Sequence, residues 1–230
     1  MGEHNEMAEA VAALWQENSH HGRSSEAIYR TLREAILSKA LLPEQLFSEE
    51  DLTKVFGVSR TPIREAVLRL TGDHLVVRRG RRLAVSTISP AEVLEIYDVR
   101  GALDALAARL ATTEATPPEV AQLRWLNEQM QEAVLSENAA ESFRLNLEFH
   151  DYLARMSKNT FLLSQVRVVQ DRVRRFASTT FAFVGRPDNI IIEHTAILDA
   201  IEARDPDAAA AAAAAHIMQS KGIRLEMLDD

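Results

Sequence analysis

The chain has 230 residues, of which 47% are hydrophobic and 26% charged, and a formal net charge of -8; that length suits one small and one medium domain, each with its own core. It has no cysteine, which excludes disulfides and thiolate metal sites, and no apolar run nears the roughly 18 residues that cross a bilayer. The polar, acidic start MGEHNEMAEA lacks the charged n-region and apolar h-region of a secretory signal, so a cytoplasmic protein without a membrane partner is the expectation.

Residues 1–23 read as a flexible leader. Within it Ala8–Gln16 can form a short helix with Val11, Leu14 and Trp15 on one stripe, while His20 and His21 stand in solvent. Ser24 or Ser25 caps a helix running to about Ala40, with Ile28, Leu32, Ile36 and Leu37 on one face. After Pro43, Ser48 caps a second, short helix (SEEDLTKVF), whose acidic first turn suits the helix dipole. Gly57 closes it. Ser59 caps a third helix, with Pro62 in its first turns and Ile63, Val67, Leu68 and Leu70 pointing inward. Leu75–Arg78 and Leu83–Thr87 are short β-prone runs joined by a turn at Arg79, Gly80 and Arg81, a two-stranded hairpin.

Ser89-Pro90 marks a boundary, after which everything reads as helix. The segments run from about Pro90 to Thr112, Thr116 to Ser136, Ala139 to Ser157, Thr160 to Phe183, Pro187 to Ala203 and Pro206 to Leu228. The first carries a stripe of Val93, Ile96, Tyr97, Leu103, Leu106 and Leu110. The alanine-rich run Asp207–Ala215 implies high helix propensity and close packing. The predicted fold is mainly α: a helical-plus-hairpin module over 24–88, then an all-helical antiparallel bundle of about six helices over 89–230.

Charge divides the same way. Residues 24–88 hold 11 Lys/Arg against 8 Asp/Glu, whereas residues 89–230 hold 14 against 22. A basic module joined to an acidic one is the pattern of a protein that meets phosphate at one end. The two short helices around Gly57 have helix-turn-helix layout, which aims the start of the second helix at base edges in a major groove. Arg60 and Arg64 lie one turn apart on one face, and an arginine fork fits guanine O6 and N7 or a phosphate. The hydroxyls of Ser59 and Thr61 and the helix N-terminus suit phosphate oxygens. The bland alternative makes Arg60 and Arg64 surface cations paired with Glu65 or Asp51. The hairpin weighs against it: Arg78, Arg79, Arg81 and Arg82 crowd around Gly80 and repel one another unless an anion is near, as befits a wing beside a recognition helix.

Three histidines stand out in the bundle. His150 follows Asn146 by one helical turn, so both aim at one spot. His194 and His216 lie on the last two helices, which as antiparallel neighbours can bring both to one level. Three imidazoles from three helices make a divalent transition-metal site; taken singly, each is better read as a core histidine bonded to a carbonyl. Arg100, on the apolar stretch GALDALAARLA, wants an anion, with Asp104 one turn on as the obvious partner. Arg172, Arg174 and Arg175 read as a solvated helix face.

The stretches GVSRTPIREAVLRL and HLVVRRGRRLAVS closely resemble the winged helix-turn-helix of GntR-family bacterial transcription regulators. EIYDVRGALDALAARLA, NLEFHDYLARMSKN and IIEHTAILDAIEARDPDAAAAAAAAH resemble the FadR branch with its all-helical, FCD-type ligand-binding domain, and six helices resemble its VanR-like group. The resemblance implies recognition-helix contacts at Arg60, Thr61 and Arg64, a wing tip at Gly80, and a homodimer on a palindromic operator of double-stranded DNA. It implies a metal held by an aspartate and three histidines, matched here by His150, His194 and His216, with Asn146 in the aspartate's place. A neutral amide oxygen is a weaker ligand, so the three nitrogens carry the site, with zinc, nickel or manganese as candidates at one per chain. Arg100 falls where the family places an arginine near the effector cavity, which implies a small carboxylate effector. Glu50 stands where some relatives carry an arginine.

The function expected is therefore a ligand-responsive DNA-binding regulator, a repressor, with residues 24–88 on DNA and residues 89–230 for effector binding and dimerisation. One alternative makes the metal itself the signal. The other is a metal-dependent hydrolase, against which Glu148 and Asp151 beside His150, and Glu193 beside His194, point off the histidine faces.

Overall fold

Side-chain caps set most of the element boundaries. In the computed structural model, residues 2–17, 24–175, 180, 183 and 186–229 are described, and the chain divides into two compact units, Met1–Ile88 and Ser89–Asp230.

The first unit contains α1 (Gly2–Glu17), α2 (Ser25–Leu37), β1 (Leu46–Phe47), α3 (Glu49–Phe56), α4 (Arg60–Gly72), β2 (Val76–Arg79) and β3 (Arg82–Val85). Ser24 accepts a hydrogen bond from the Ala27 N–H and opens α2. Ser48 and Asp51 form a reciprocal capping box at the start of α3, which satisfies two orphan donors at once. Gly57 ends α3 with φ 62°, a left-handed conformation that suits a residue without Cβ. Ile28, Leu32, Phe47, Leu52, Ile63 and Leu70 are fully buried and form the core.

The structure departs from four sequence expectations here. Leu68, expected to point inward with Ile63, Val67 and Leu70, is exposed, because Ala66 and not Leu68 falls on the buried face of α4. The helix expected at Ala8–Gln16 runs over Gly2–Glu17 and is docked rather than part of a flexible tail: Val11 is fully buried in the core, and the Trp15 ring meets Phe56 edge-on at 4.9 Å. The apolar stripe of α1 has a surface to bury against, and that outweighs its polar composition. Residues 18–23, including His20 and His21, lie outside the described residues. The expected hairpin forms from β2 and β3, but β1 adds a third strand that the sequence did not announce, in the order β1-β3-β2, with Leu46 opposite Ala84 and Phe47 opposite Leu83. A two-residue strand is too short for alternation to announce it. Finally, Ser59 holds the N-cap position of α4 with extended backbone but makes no side-chain cap bond. The first-turn N–H groups there have no side-chain cap, and Pro62 removes one of them.

The second unit contains six described helices, α5 (Pro90–Glu114), α6 (Pro117–Leu135), α7 (Ala139–Met156), α8 (Thr160–Arg174), α9 (Arg186–Glu202) and α10 (Pro206–Asp229). Ser89, Asn138 and Asn159 cap α5, α7 and α8, and Thr116 with Glu119 forms a capping box on α6. Much of the remainder of the predicted segment Thr160–Phe183 lies outside the described residues.

On α5 the buried face runs through Val93, Ile96, Tyr97, Arg100, Asp104, Ala107, Ala108 and Ala111, whereas Leu106 of the predicted stripe is exposed. Small residues win the interface because they let α10 come close; Ala209, Ala210 and Ala213 answer them from the alanine-rich run. That packing carries Arg100 and Asp104 into the interior. No described helix is long and apolar enough to cross a membrane.

Candidate functional site

In the first unit, the start of α4 and the β2–β3 turn flank an open groove of about 700 Å³ lined by Arg60, Arg64, Arg78, Gly80 and Arg81 among others. Ser59, Arg60, Thr61 and Arg64 are all exposed there. Gly80 turns the hairpin with φ 65°. The arginines are held by acids other than those foreseen. Arg64 Nε donates to Glu49 Oε2 at 3.1 Å, and Arg78 Nη2 donates to Glu49 Oε1 at 3.0 Å. Arg79 donates to both oxygens of Glu44, at 3.2 and 3.1 Å, and Arg82 donates to the Leu46 carbonyl at 3.0 Å. Partial burial pushes the Glu49 carboxyl up, yet the Arg78 and Arg64 guanidiniums prevail and hold it below its ordinary range. Asp51, one of the predicted partners of these arginines, is engaged in the α3 capping box.

The second unit brings His150, His194 and His216 together from α7, α9 and α10. All three are buried, and one ring nitrogen from each lies within 4.8 Å of the others, so the triad can hold a metal ion. His150 Nε2 and His216 Nε2 face each other at 3.2 Å. Two nitrogens bound tetrahedrally to a zinc-like ion at about 2.0–2.1 Å stand about 3.4 Å apart. The His194 ring stacks on Phe149 at 3.9 Å and 10°, and neither of its nitrogens has a hydrogen-bond partner.

A neighbouring carboxylate sets the tautomer of His216. His216 Nδ1 donates to Glu193 Oε2 at 2.6 Å, because an ionised carboxylate has no hydrogen to give. Its Nε2 is thereby left with a lone pair toward His150. On the far side of His150, Nδ1 faces Asp104 Oδ2 at 3.4 Å. His216 thus has a hydrogen-bonded carboxylate behind it, an arrangement that orients metal-binding histidines and raises their basicity, whereas His150 Nδ1 and Asp104 Oδ2 make no hydrogen bond. Burial, reinforced by the Arg100 charge, holds His150 and His216 well below their ordinary range, and burial with the neighbouring His216 does the same for His194. The imidazoles are neutral and available as ligands.

Asn146 lies one turn before His150, buried, with its Oδ1 unpartnered. That orphaned oxygen on the ligand face of α7 fits a fourth donor. Arg100, 6% exposed, has Nε 3.4 Å from Asp104 Oδ2, and its Nε and Nη2 make no hydrogen bond. Burial pushes the Asp104 carboxyl up to about 6, against the pull of Arg100.

Sequence reasoning missed the supporting residues. Glu193, expected to point away, reaches His216 on the neighbouring helix. Its other oxygen accepts from Arg186 Nη1 at 2.5 Å, and Arg186, 1% exposed, also donates to Ser220 at 2.8 Å. Asp104, foreseen as the partner of Arg100, also faces His150. Glu49 and Glu44 gave no signal beyond general acidity. Arg172, expected in solvent, donates to Glu92 at 2.8 Å, and Arg175 is buried.

Comparison with known proteins agrees with both halves. The profile of the gntR family of bacterial regulatory proteins matches residues 24–84, and that of the FCD domain matches residues 95–219. YdhC of Bacillus subtilis (strain 168), an uncharacterized HTH-type transcriptional regulator, is 30% identical over 190 residues, covering 82% of this chain and 85% of its own. The HTH-type transcriptional repressor RspR of Escherichia coli (strain K12) is 28% identical over 202 residues, covering 87% and 89%. Both are regulators rather than enzymes, which sets the hydrolase alternative aside. The solved structure of E. coli McbR/YncC is alike in fold, with a TM-score of 0.74 at 22% identity over 89% of this chain and 98% of that one.

Proposed function

The chain belongs to the GntR family of bacterial DNA-binding transcription regulators, in the FadR-like branch that carries an FCD domain, and from that premise we propose that it is a homodimeric repressor released from its operator by a small carboxylate. Six helices among the described residues of the second unit support a place in the VanR-like group. Residues 24–88 take the DNA, with Arg60, Thr61 and Arg64 at base edges and Ser59, Arg78, Arg79, Gly80 and Arg81 along the backbone. Residues 89–230 bind the effector and join the two copies. The protein works in the cytoplasm, where its operator is.

The observation that carries the effector reading is a buried guanidinium with unbonded N–H groups beside a neutral, inward-facing histidine triad. His150, His194 and His216 would hold one divalent transition metal, zinc, nickel or manganese, with Asn146 as a weaker oxygen donor. A bound cation supplies Lewis acidity and a positive charge toward which a carboxylate orients. Arg100 takes the same carboxylate through its free N–H groups. The effector acts only through its differential affinity for two arrangements of the dimer.

A thermal-shift screen of small carboxylic acids, followed by DNA titration with any hit, tests this reading. A stabilising acid that also weakens the DNA complex supports it; no complex between the folded dimer and genomic fragments at modest ionic strength overturns it. A second reading, in which the metal is itself the signal, is favoured by the origin of the ligands on three separate helices, which an ion would tie together. Apo and metal-loaded protein in one gel-shift series, without any acid, separate the two.

A further inference from the structure

Glu49 is a carboxylate placed among the cations of the groove between α4 and the β2–β3 turn. It opens α3, outside the capping box that Ser48 and Asp51 form. Its two oxygens are divided between two elements: one holds Arg64 of α4, the other Arg78 of β2. Its side chain is 21% exposed, against 62% for Arg64 and 55% for Arg78. The acid is therefore recessed and the two guanidiniums stand proud of it.

Such an acid repels phosphate and lowers affinity for any duplex. What it gives in return is direction. Arg64 is held through Nε on a side chain that is 62% exposed, which leaves both Nη groups available as a fork, and such a fork fits guanine N7 and O6 end-on. Holding the guanidinium beforehand removes part of the ordering cost of binding. The same carboxylate links the hairpin to the helix through Arg78, so their spacing is set before DNA arrives.

We propose that Glu49 is a specificity-determining positioning residue, which orients Arg64 for base readout and ties the wing to the recognition helix while lowering affinity for unrelated sequence. This inference rests on the assignment of α4 as the recognition helix. Glu49→Gln keeps the size and removes the charge, and the cap of α3 is left intact.

The test begins with wild-type protein and a pool of random-sequence duplexes, from which one enriched duplex is taken along with a scrambled duplex of equal composition. Binding of both is measured over a salt series for wild type, Glu49→Gln, Arg64→Ala and the double variant. The expected result for Glu49→Gln is scrambled-duplex binding tightened about threefold, and a selected-to-scrambled ratio lowered about tenfold, the scale of one bidentate base contact. The double variant should lose little more discrimination than Arg64→Ala alone, because Glu49 acts through that arginine. An unchanged ratio in Glu49→Gln, or losses that multiply in the double variant, overturns the inference while leaving the recognition helix in place if Arg64→Ala still lowers the ratio. If the wild type enriches no sequence, or Arg64→Ala leaves the ratio unchanged, the assignment of α4 falls and the inference with it.

Discussion

Replacing Glu193 with Gln probes the support of the histidine triad more sharply than replacing a histidine. The carboxylate holds two buried groups at once, His216 Nδ1 at 2.6 Å and Arg186 Nη1 at 2.5 Å. Gln can still accept one hydrogen bond, so the shape survives and the charge does not. Two separate losses follow. Outer partners of metal-binding histidines are worth about 10–100-fold in metal affinity, or roughly 1.4–2.7 kcal/mol. The Arg186 guanidinium, 1% exposed, loses its counter-charge; uncompensated buried charges cost about 3–5 kcal/mol, and the retained amide oxygen and Ser220 bring this to about 3 kcal/mol. For a protein of this length, that lowers Tm by about 6–12 °C. Chelator-competition titration with zinc reads the first loss, and melting of metal-free protein reads the second. Zinc held as tightly as in wild type would show that Glu193 does not set the His216 tautomer. An unchanged melting point of the metal-free variant would show that the Arg186–Glu193 pair is not buried as described.

Purified wild type incubated with zinc should carry about one ion per chain by elemental analysis and melt higher than chelated protein, with about 2.7 kcal/mol of added stability at a hundredfold excess over Kd; His216→Ala should abolish both effects, and a wild type that retains no metal refutes the site. Val11→Ala, at a fully buried position of α1, should cost about 1–2 kcal/mol by denaturant unfolding of the first unit; no change would mean that the leader helix does not dock. The Glu119 carboxyl is held down to about 2 by Lys158 and by the Thr116 N–H and hydroxyl. Its folded value lies below its unfolded one, so its contribution is complete above about pH 4.5 and fades as pH falls toward 2. Solvent screening limits it to about 1 kcal/mol, and the melting gap between wild type and Glu119→Gln should therefore be fully open at pH 7, narrow below about pH 4.5 and close only as pH approaches about 2.

Most elements were legible because their signals are local. Ser24, Ser48, Ser89 and Thr116 announce helix starts, Gly57 announces an end, and the structure follows each. The triad was legible as residue types, since His150, His194 and His216 fall on separate predicted helices at comparable depth. What the sequence concealed depends on packing between elements distant in the chain. Leu46 and Phe47 become a strand only because Leu83 and Ala84 lie opposite. The leader becomes a docked helix only because Phe56 offers Trp15 a partner. On α5 periodicity favoured the leucines, but the close approach of α10 selected the alanine face and took Arg100 and Asp104 inside with it.

The same limit explains why the acids escaped notice at both sites. A cation or an imidazole suggests a ligand by its own chemistry, whereas the carboxylate behind it acts through a neighbour that only the fold supplies. Glu49 is 15 residues from Arg64 and 29 from Arg78; Glu193 is 23 from His216. None of these three separations falls within one helix or strand, so no pattern in the chain links them. Both carboxylates nevertheless do one thing, which is to fix the direction of a group whose outward atoms meet the ligand. Arg64 keeps its two Nη groups free, and His216 keeps its Nε2 lone pair. A substitution that keeps either ligand-facing residue and removes the acid behind it should therefore lower selectivity or affinity without changing the composition of the site, and that is the signature by which these supports are distinguished from ordinary surface charge.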